Sequence, residues 1–109
     1  MSLTKADILS FGKAPKSSVE IDGATFHIRV MSGAERHKFF ATFDDQETDS
    51  TAHLLVRCLS DDKGNRLFTD DEAAVLHAAL PVTVQEDLAK EAIKVNRLSV
   101  ESRKDAEKN

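Results

Sequence analysis

The sequence contains neither tryptophan nor tyrosine, and Cys58 is its one cysteine. A lone cysteine excludes an internal disulfide and a multi-cysteine zinc site, and it suits a reducing compartment. No apolar run approaches the length needed to cross a bilayer. The start, Met1-Ser2-Leu3-Thr4-Lys5-Ala6-Asp7, has no long apolar core behind a basic segment, so it does not read as a signal peptide. Basic clusters are missing too. With a formal net charge of −4, general binding to a phosphate backbone or an anionic membrane is disfavoured. The expected setting is a cytoplasm, with no nucleic-acid or membrane partner.

Catalytic signatures are equally scarce. There is no nucleophile elbow, no glycine-rich phosphate cradle and no paired-histidine zinc helix. His27, His37, His53 and His77 fall in separate predicted elements. Asp61 to Glu72 comes near a calcium loop, with acids at its first and twelfth positions. However, Lys63 stands where a ligand oxygen belongs, and Arg66 where the sharp turn needs glycine. A helix-turn-helix over 50–80 fails because the connection is long and the second helix opens on Asp70-Asp71-Glu72, the wrong sign for phosphate. No catalytic, metal or cofactor-binding residue is assigned, and the expected function is non-enzymatic.

What remains is a chain of 109 residues, 40% apolar, in which six phenylalanines supply all the aromatic packing. That length supports a single domain with one modest core. Its organising stretch is His53 to Glu72. An apolar helix, Leu54 to Leu59, breaks at the charged turn Ser60–Arg66, and Leu67-Phe68 return to the core before Thr69 opens another helix.

The predicted fold is α+β: an N-terminal β-hairpin followed by a small bundle of about four helices. Residues 1–16 read as a flexible arm, whose Ile8, Leu9 and Phe11 form a short apolar patch able to dock on a partner or a neighbouring copy. Residues 17–98 form the folded body, and 99–109 a polar tail.

The hairpin rests on Asp22-Gly23, a two-residue turn that needs positive φ at both positions. Pairing outward sets Ile21 opposite Ala24 and Val19 opposite Phe26, and alternation adds Ile28 and Val30 to the same face. Glu20, Thr25, His27 and Arg29 take the other face.

Ser32-Gly33-Ala34-Glu35 has the form of a capping box. Its helix is expected to reach Phe43, with Phe39, Phe40 and Phe43 as one aromatic ridge. The ridge suits either core packing or partner binding. The open face of the hairpin, Phe26 and Ile28, is a second candidate partner-binding surface. After the acidic connection 44–50, one of Thr48, Asp49 and Ser50 caps a helix over 50–60. Two further boxes, Thr69–Glu72 and Thr83–Glu86, open the last helices. Val75, Leu76, Ala79 and Leu80 form the buried stripe of the first. Val84, Leu88, Ala92 and Val95 form that of the second, with Ile93 and Leu98 beside them. Pro81 separates the two.

Four of these features, taken in order, resemble the tail assembly chaperones of long-tailed bacteriophages and prophages. They are the strand exit Ile28-Arg29-Val30-Met31-Ser32 followed by Glu35-Arg36, the helix end Leu54-Leu55-Val56-Arg57-Cys58-Leu59, the turn Asp61-Asp62-Lys63-Gly64-Asn65-Arg66-Leu67-Phe68, and the acidic-capped helix start Thr69–Glu72 with a last helix carrying Asn96 near its end. The resemblance spans roughly residues 17–98. It implies a non-catalytic protein of the bacterial host cytoplasm that binds the tape measure protein, keeps it soluble and helps the tail tube protein polymerise around it. Self-association into a homo-oligomer is compatible with that role. In a second reading the chain is a stable virion part, a tail-completion or connector protein.

Overall fold

The computed structural model describes residues 2–44 and 49–98. The expected middle of the acidic connection (45–48) and the expected polar tail (99–109) lie outside the described residues. The element order is α1 (Lys5–Ser10), β1 (Ser17–Ile21), β2 (Ala24–Ile28), α2 (Gly33–Ala41), α3 (Ser50–Cys58), β3 (Leu59–Ser60), α4 (Ala73–Ala79) and α5 (Val82–Val95), with 3₁₀ turns at Thr42–Asp44 and Asp70–Glu72. The architecture is α+β, with a hairpin preceding the helical body.

The hairpin takes the predicted register, with Val19 paired to Phe26 and Ile21 to Ala24. Asp22 and Gly23 have φ of 51° and 83°. These are the left-handed values that let a two-residue turn follow the strand twist. Val30 departs from the alternation: β2 ends at Ile28, and Val30 is exposed.

Expected as two strands, the sheet has three. The α3 helix stops at Cys58, and Leu59 turns to extended backbone. Leu59-Ser60 then pair antiparallel with Ile28 and His27. A two-residue strand with apolar Leu59 in step with the preceding helix has no periodicity of its own to announce it. It covers the far edge of β2, which would otherwise present unpaired backbone groups.

Buried at the centre is α3. The Asp49 carboxylate caps it by accepting from the Thr51 amide at 2.8 Å. Ala52, Leu54, Leu55, Val56 and Cys58 are all 2% exposed or less. They pack with Ile28 from the sheet, Phe39 from α2, Leu76 from α4, and Leu88 and Ala92 from α5. Burial pushes the Cys58 thiol up to about 12, so it stays protonated and inert.

The Ser32 box forms as predicted: the Glu35 amide donates to the Ser32 hydroxyl, and the Glu35 carboxylate accepts from the Ser32 amide at 2.8 Å. At its other end α2 tightens into the 3₁₀ turn before reaching Phe43. At Thr69 the amide donates to the Glu72 carboxylate at 2.7 Å, but the turn that follows is 3₁₀ and α4 proper begins at Ala73. Its buried stripe is narrower than expected. Ala73 and Leu76 are buried and Leu80 partly so, whereas Val75 is 60% exposed and Ala79 also faces outward.

The expected cap at Thr83 is displaced. Pro81 occupies the cap position, α5 starts at Val82, and the Pro81 carbonyl accepts from Gln85. Proline suits this edge because it has no amide to leave unpaired. Gln85, inside the expected box, is buried. Its side-chain amide donates to the Leu80 carbonyl at 2.7 Å and to the His77 carbonyl at 3.3 Å, tying the end of α4 to α5.

The N-terminal arm is more structured than its sequence suggested. Thr4 and Asp7 form a reciprocal cap, and α1 follows. Yet α1 buries none of its residues. The arm is fixed to the body further along. Lys16 donates to Ile28, and the Lys13 carbonyl lies so close to Gly64 that a Cβ there would sit 1.6 Å from it. Gly64 also has φ of 88°, so glycine is required on two counts. Among the described residues, no helix is long and apolar enough to cross a membrane.

Candidate functional site

Two features distinguish this molecule from a bare apolar core: a knot of arginines and carboxylates at the end of α3, and apolar groups left in solvent.

The knot follows from the open end of a helix. The last carbonyls of α3 have no partner within the helix, and the dipole makes that end negative. Arginines answer both needs. The Arg66 guanidinium donates to the Val56 carbonyl at 2.9 Å, and that of Arg29 donates to the Arg57 carbonyl at 2.7 Å. The Arg29 amide donates to the Cys58 carbonyl at 2.9 Å. Glu35 then binds both arginines, bidentate to Arg29 at 2.9 and 3.0 Å and to Arg66 at 3.3 Å. Asp70 closes the other side, 2.7 Å from Arg66 and 3.5 Å from Arg57.

Arg57 is 3% exposed. It reaches back along its own helix to the His53 carbonyl at 2.8 Å. Burial lowers its affinity for a proton, and the charge of Asp70 offsets only part of this. For Glu35 and Asp70, burial alone would favour the neutral acid. The arginine hydrogen bonds and charges outweigh it, and both carboxyls are held below the usual range. Five segments meet here: the exit of β2, the start of α2, the end of α3, the loop after β3 and the 3₁₀ turn before α4.

Beside the knot lies a second polar anchor, Asn96, 4% exposed at the end of α5. Its side-chain oxygen accepts from the Met31 amide at 2.7 Å, and its NH2 donates to the Ala92 carbonyl at 2.9 Å. Arg36 donates to the Asn96 carbonyl at 2.7 Å. Sequence reasoning had no signal for this role, because an asparagine near a helix end reads first as a C-cap.

The loop that mimics a calcium site is wired to itself. The Asp61 carboxylate accepts from the amides of Lys63 and Asn65 at 2.8 and 2.9 Å and from the Asn65 side chain at 3.1 Å. Those bonds hold its carboxyl below the usual range. Glu72 is engaged at Thr69. Among the described residues, no cluster of three or more His, Cys, Asp or Glu is placed to hold a metal.

The five candidate partner-binding residues separate. Ile28 is fully buried, and Phe39 is 5% exposed. Neither offers area to a partner, because Ile28 on the central strand lies within the core cluster and Phe39 is the inward ring of the ridge. Phe40 and Phe43 remain outside, 37% and 53% exposed. The three rings pack at centroid distances of 5.2 to 5.6 Å, two of the pairs edge to face. Ile93 and Leu98 of the α5 side border the same hollow as Phe40 and Phe43. Phe26 is half-buried and lines a separate apolar cleft of about 390 Å³ with Leu59, Leu67, Phe68, Val75 and Leu80.

No family model, curated protein or solved structure matches this chain.

Proposed function

We propose that this protein is a non-catalytic tail assembly chaperone of a phage or prophage, acting in the host cytoplasm. It binds a helical segment of the tape measure protein and keeps it soluble until the tail tube protein assembles. The observation that carries this reading is the exposed edge of the phenylalanine ridge. Phe40 and Phe43, continued by Ile93 at 37% exposure, make an apolar strip on a chain with 31% charged residues. Helices recognise one another through such strips, with anchors at i, i+3 and i+4 entering an apolar hollow. The rigid knot beneath α2 suits the task, since a preformed strip spends little entropy on binding.

The experiment is co-expression with the long tape measure protein of the same phage. The expected result is a soluble client with this chain, an insoluble one without it, and loss of the effect in Phe40→Ser/Phe43→Ser. A client equally insoluble in both cases would remove the proposal. Incorporation of the chain into purified virions would favour a tail-completion or connector part.

A further inference from the structure

The sequence shows no basic cluster, yet the fold assembles one. A hollow of about 1060 Å³ opens between the arm, the exit of β2, the start of α2 and the end of α5. Lys13, Lys16, Arg29, Arg36 and Arg97 line it, and among the described residues no aspartate or glutamate does. We propose that this hollow is a binding site for a carboxylate-rich, partly apolar segment of a polypeptide partner.

Most of these cations lack a counter-charge. Arg29 is paired with Glu35. Among the described residues, Lys13, Lys16, Arg36 and Arg97 pair with no carboxylate. Asp7, the acid of the arm, is committed to the Thr4 cap. Like charges gathered without a counter-ion repel one another, and in a chain of net charge −4 the gathering runs against the overall balance. A carboxylate-bearing partner relieves that repulsion.

Arg97 supplies a second, independent observation. The end of α5 has the Schellman form: the Leu98 amide donates to the Ile93 carbonyl at 2.9 Å, and the Arg97 amide to the Lys94 carbonyl at 3.2 Å. Arg97 holds φ of 56°, the left-handed position where glycine is the default and a side chain is strained. The fold accepts that strain, and an exposed guanidinium then lines the hollow.

Arg36 is already positioned. It donates to the Asn96 carbonyl at 2.7 Å and lies 5.4 Å from the centroid of the Phe40 ring. A guanidinium has five N–H donors, so others are left to meet a carboxylate from a fixed fork.

The lining selects the class of ligand. Between the cations lie exposed Leu9, Phe11 and Val30. A small anion would leave that apolar surface in water. A nucleic acid would carry its charge past the hollow onto a molecule of net charge −4. A peptide can be acidic beside the lysines and arginines and apolar beside Leu9, Phe11 and Val30.

Fluorescence anisotropy with the purified full chain tests this without the tape measure protein. Its failure leaves the ridge reading standing, and the reverse also holds. The probes are a labelled synthetic peptide of leucines and glutamates, the same peptide with glutamine for glutamate, and a labelled single-stranded oligonucleotide. The expected result is saturable binding of the glutamate peptide, about tenfold tighter than the glutamine peptide and weaker as salt rises. Lys13→Gln/Lys16→Gln keeps the backbone contacts of both residues and should weaken binding several-fold. Arg97→Gly is the sharper variant. It relieves the strained φ, so the urea midpoint should hold or rise, while the peptide binds roughly threefold to tenfold more weakly. No binding of the glutamate peptide, equal affinity for the two peptides, or tighter binding of the oligonucleotide overturns the proposal. Full affinity in either variant overturns it too.

Discussion

The knot at the end of α3 and the ridge on α2 are built on neighbouring segments and obey opposite rules. In the knot, charged groups are indoors. Arg57 is buried, and the open carbonyls of α3 are taken by the side chains or backbone of arginines. On the ridge, Phe40 and Phe43 are outdoors. A buried charge persists only where partners surround it, so the knot fixes geometry. An exposed aromatic edge gains little in the isolated molecule and more when another surface covers it. The contrast marks which part of the chain serves its own fold and which part is available to others.

The largest expected effect tests the fold side. Glu35→Ala removes the carboxylate shared by Arg29 and Arg66, together with the cap of α2. It should cost about 2–4 kcal/mol of unfolding free energy in a urea titration. A loss under about 0.5 kcal/mol would mean that water substitutes freely for Glu35 and that the knot organises nothing.

Asn96→Ala comes next, at about 1–3 kcal/mol, because the Met31 amide is left buried with no acceptor. Asn96→Asp retains the acceptor and should recover part of the loss. Gly64→Ala should cost about 1–3 kcal/mol, combining positive φ with the collision against Lys13. Limited proteolysis should cut residues 1–16 faster in that variant than in the wild type.

Acidity offers a subtler separation. Glu35 and Asp70 have lower pKa values folded than unfolded. The unfolded chain therefore binds their protons first as pH falls. Their contribution to stability is complete above the ordinary carboxylate range and is lost as pH drops through the folded values. Denaturation midpoints should fall on acidification, and Glu35→Gln should flatten that dependence. An equally steep profile in Glu35→Gln would place the acid sensitivity elsewhere.

The smallest stability effect belongs to the ridge. Phe40→Ser and Phe43→Ser should each cost at most about 1 kcal/mol, since both rings are partly solvated already. The same variants should abolish client solubilisation. If they instead unfold the protein as readily as Glu35→Ala does, the ridge is core and the distinction collapses.

Much of this fold is legible in the sequence. The hairpin register follows from Asp22-Gly23, because a turn with two positive φ values fixes every pair beyond it. The Ser32 cap is a local signal read within four residues. By contrast, Thr83–Glu86 matched the capping pattern and did not cap, since Pro81 had already begun the helix. Val75 matched the helix period and stayed outside, because the period assigns a face and the neighbours decide whether that face is covered. The candidate surface was half legible. The spacing of Phe39, Phe40 and Phe43 makes a ridge, but which ring turns inward depends on where α3 and α5 lie.

The sequence by itself determined the turns, the Ser32 cap, the buried character of α3 and the lack of any catalytic pattern, because these depend on residues within a few positions of one another. Tertiary structure alone decided that Arg29, Arg57 and Arg66 share Glu35 and Asp70, that Leu59 becomes a strand, and that Asn96 serves the Met31 amide. Those contacts join residues up to 65 positions apart. Donors and acceptors at such separation carry no periodicity that names their partner, and only chain packing brings them together.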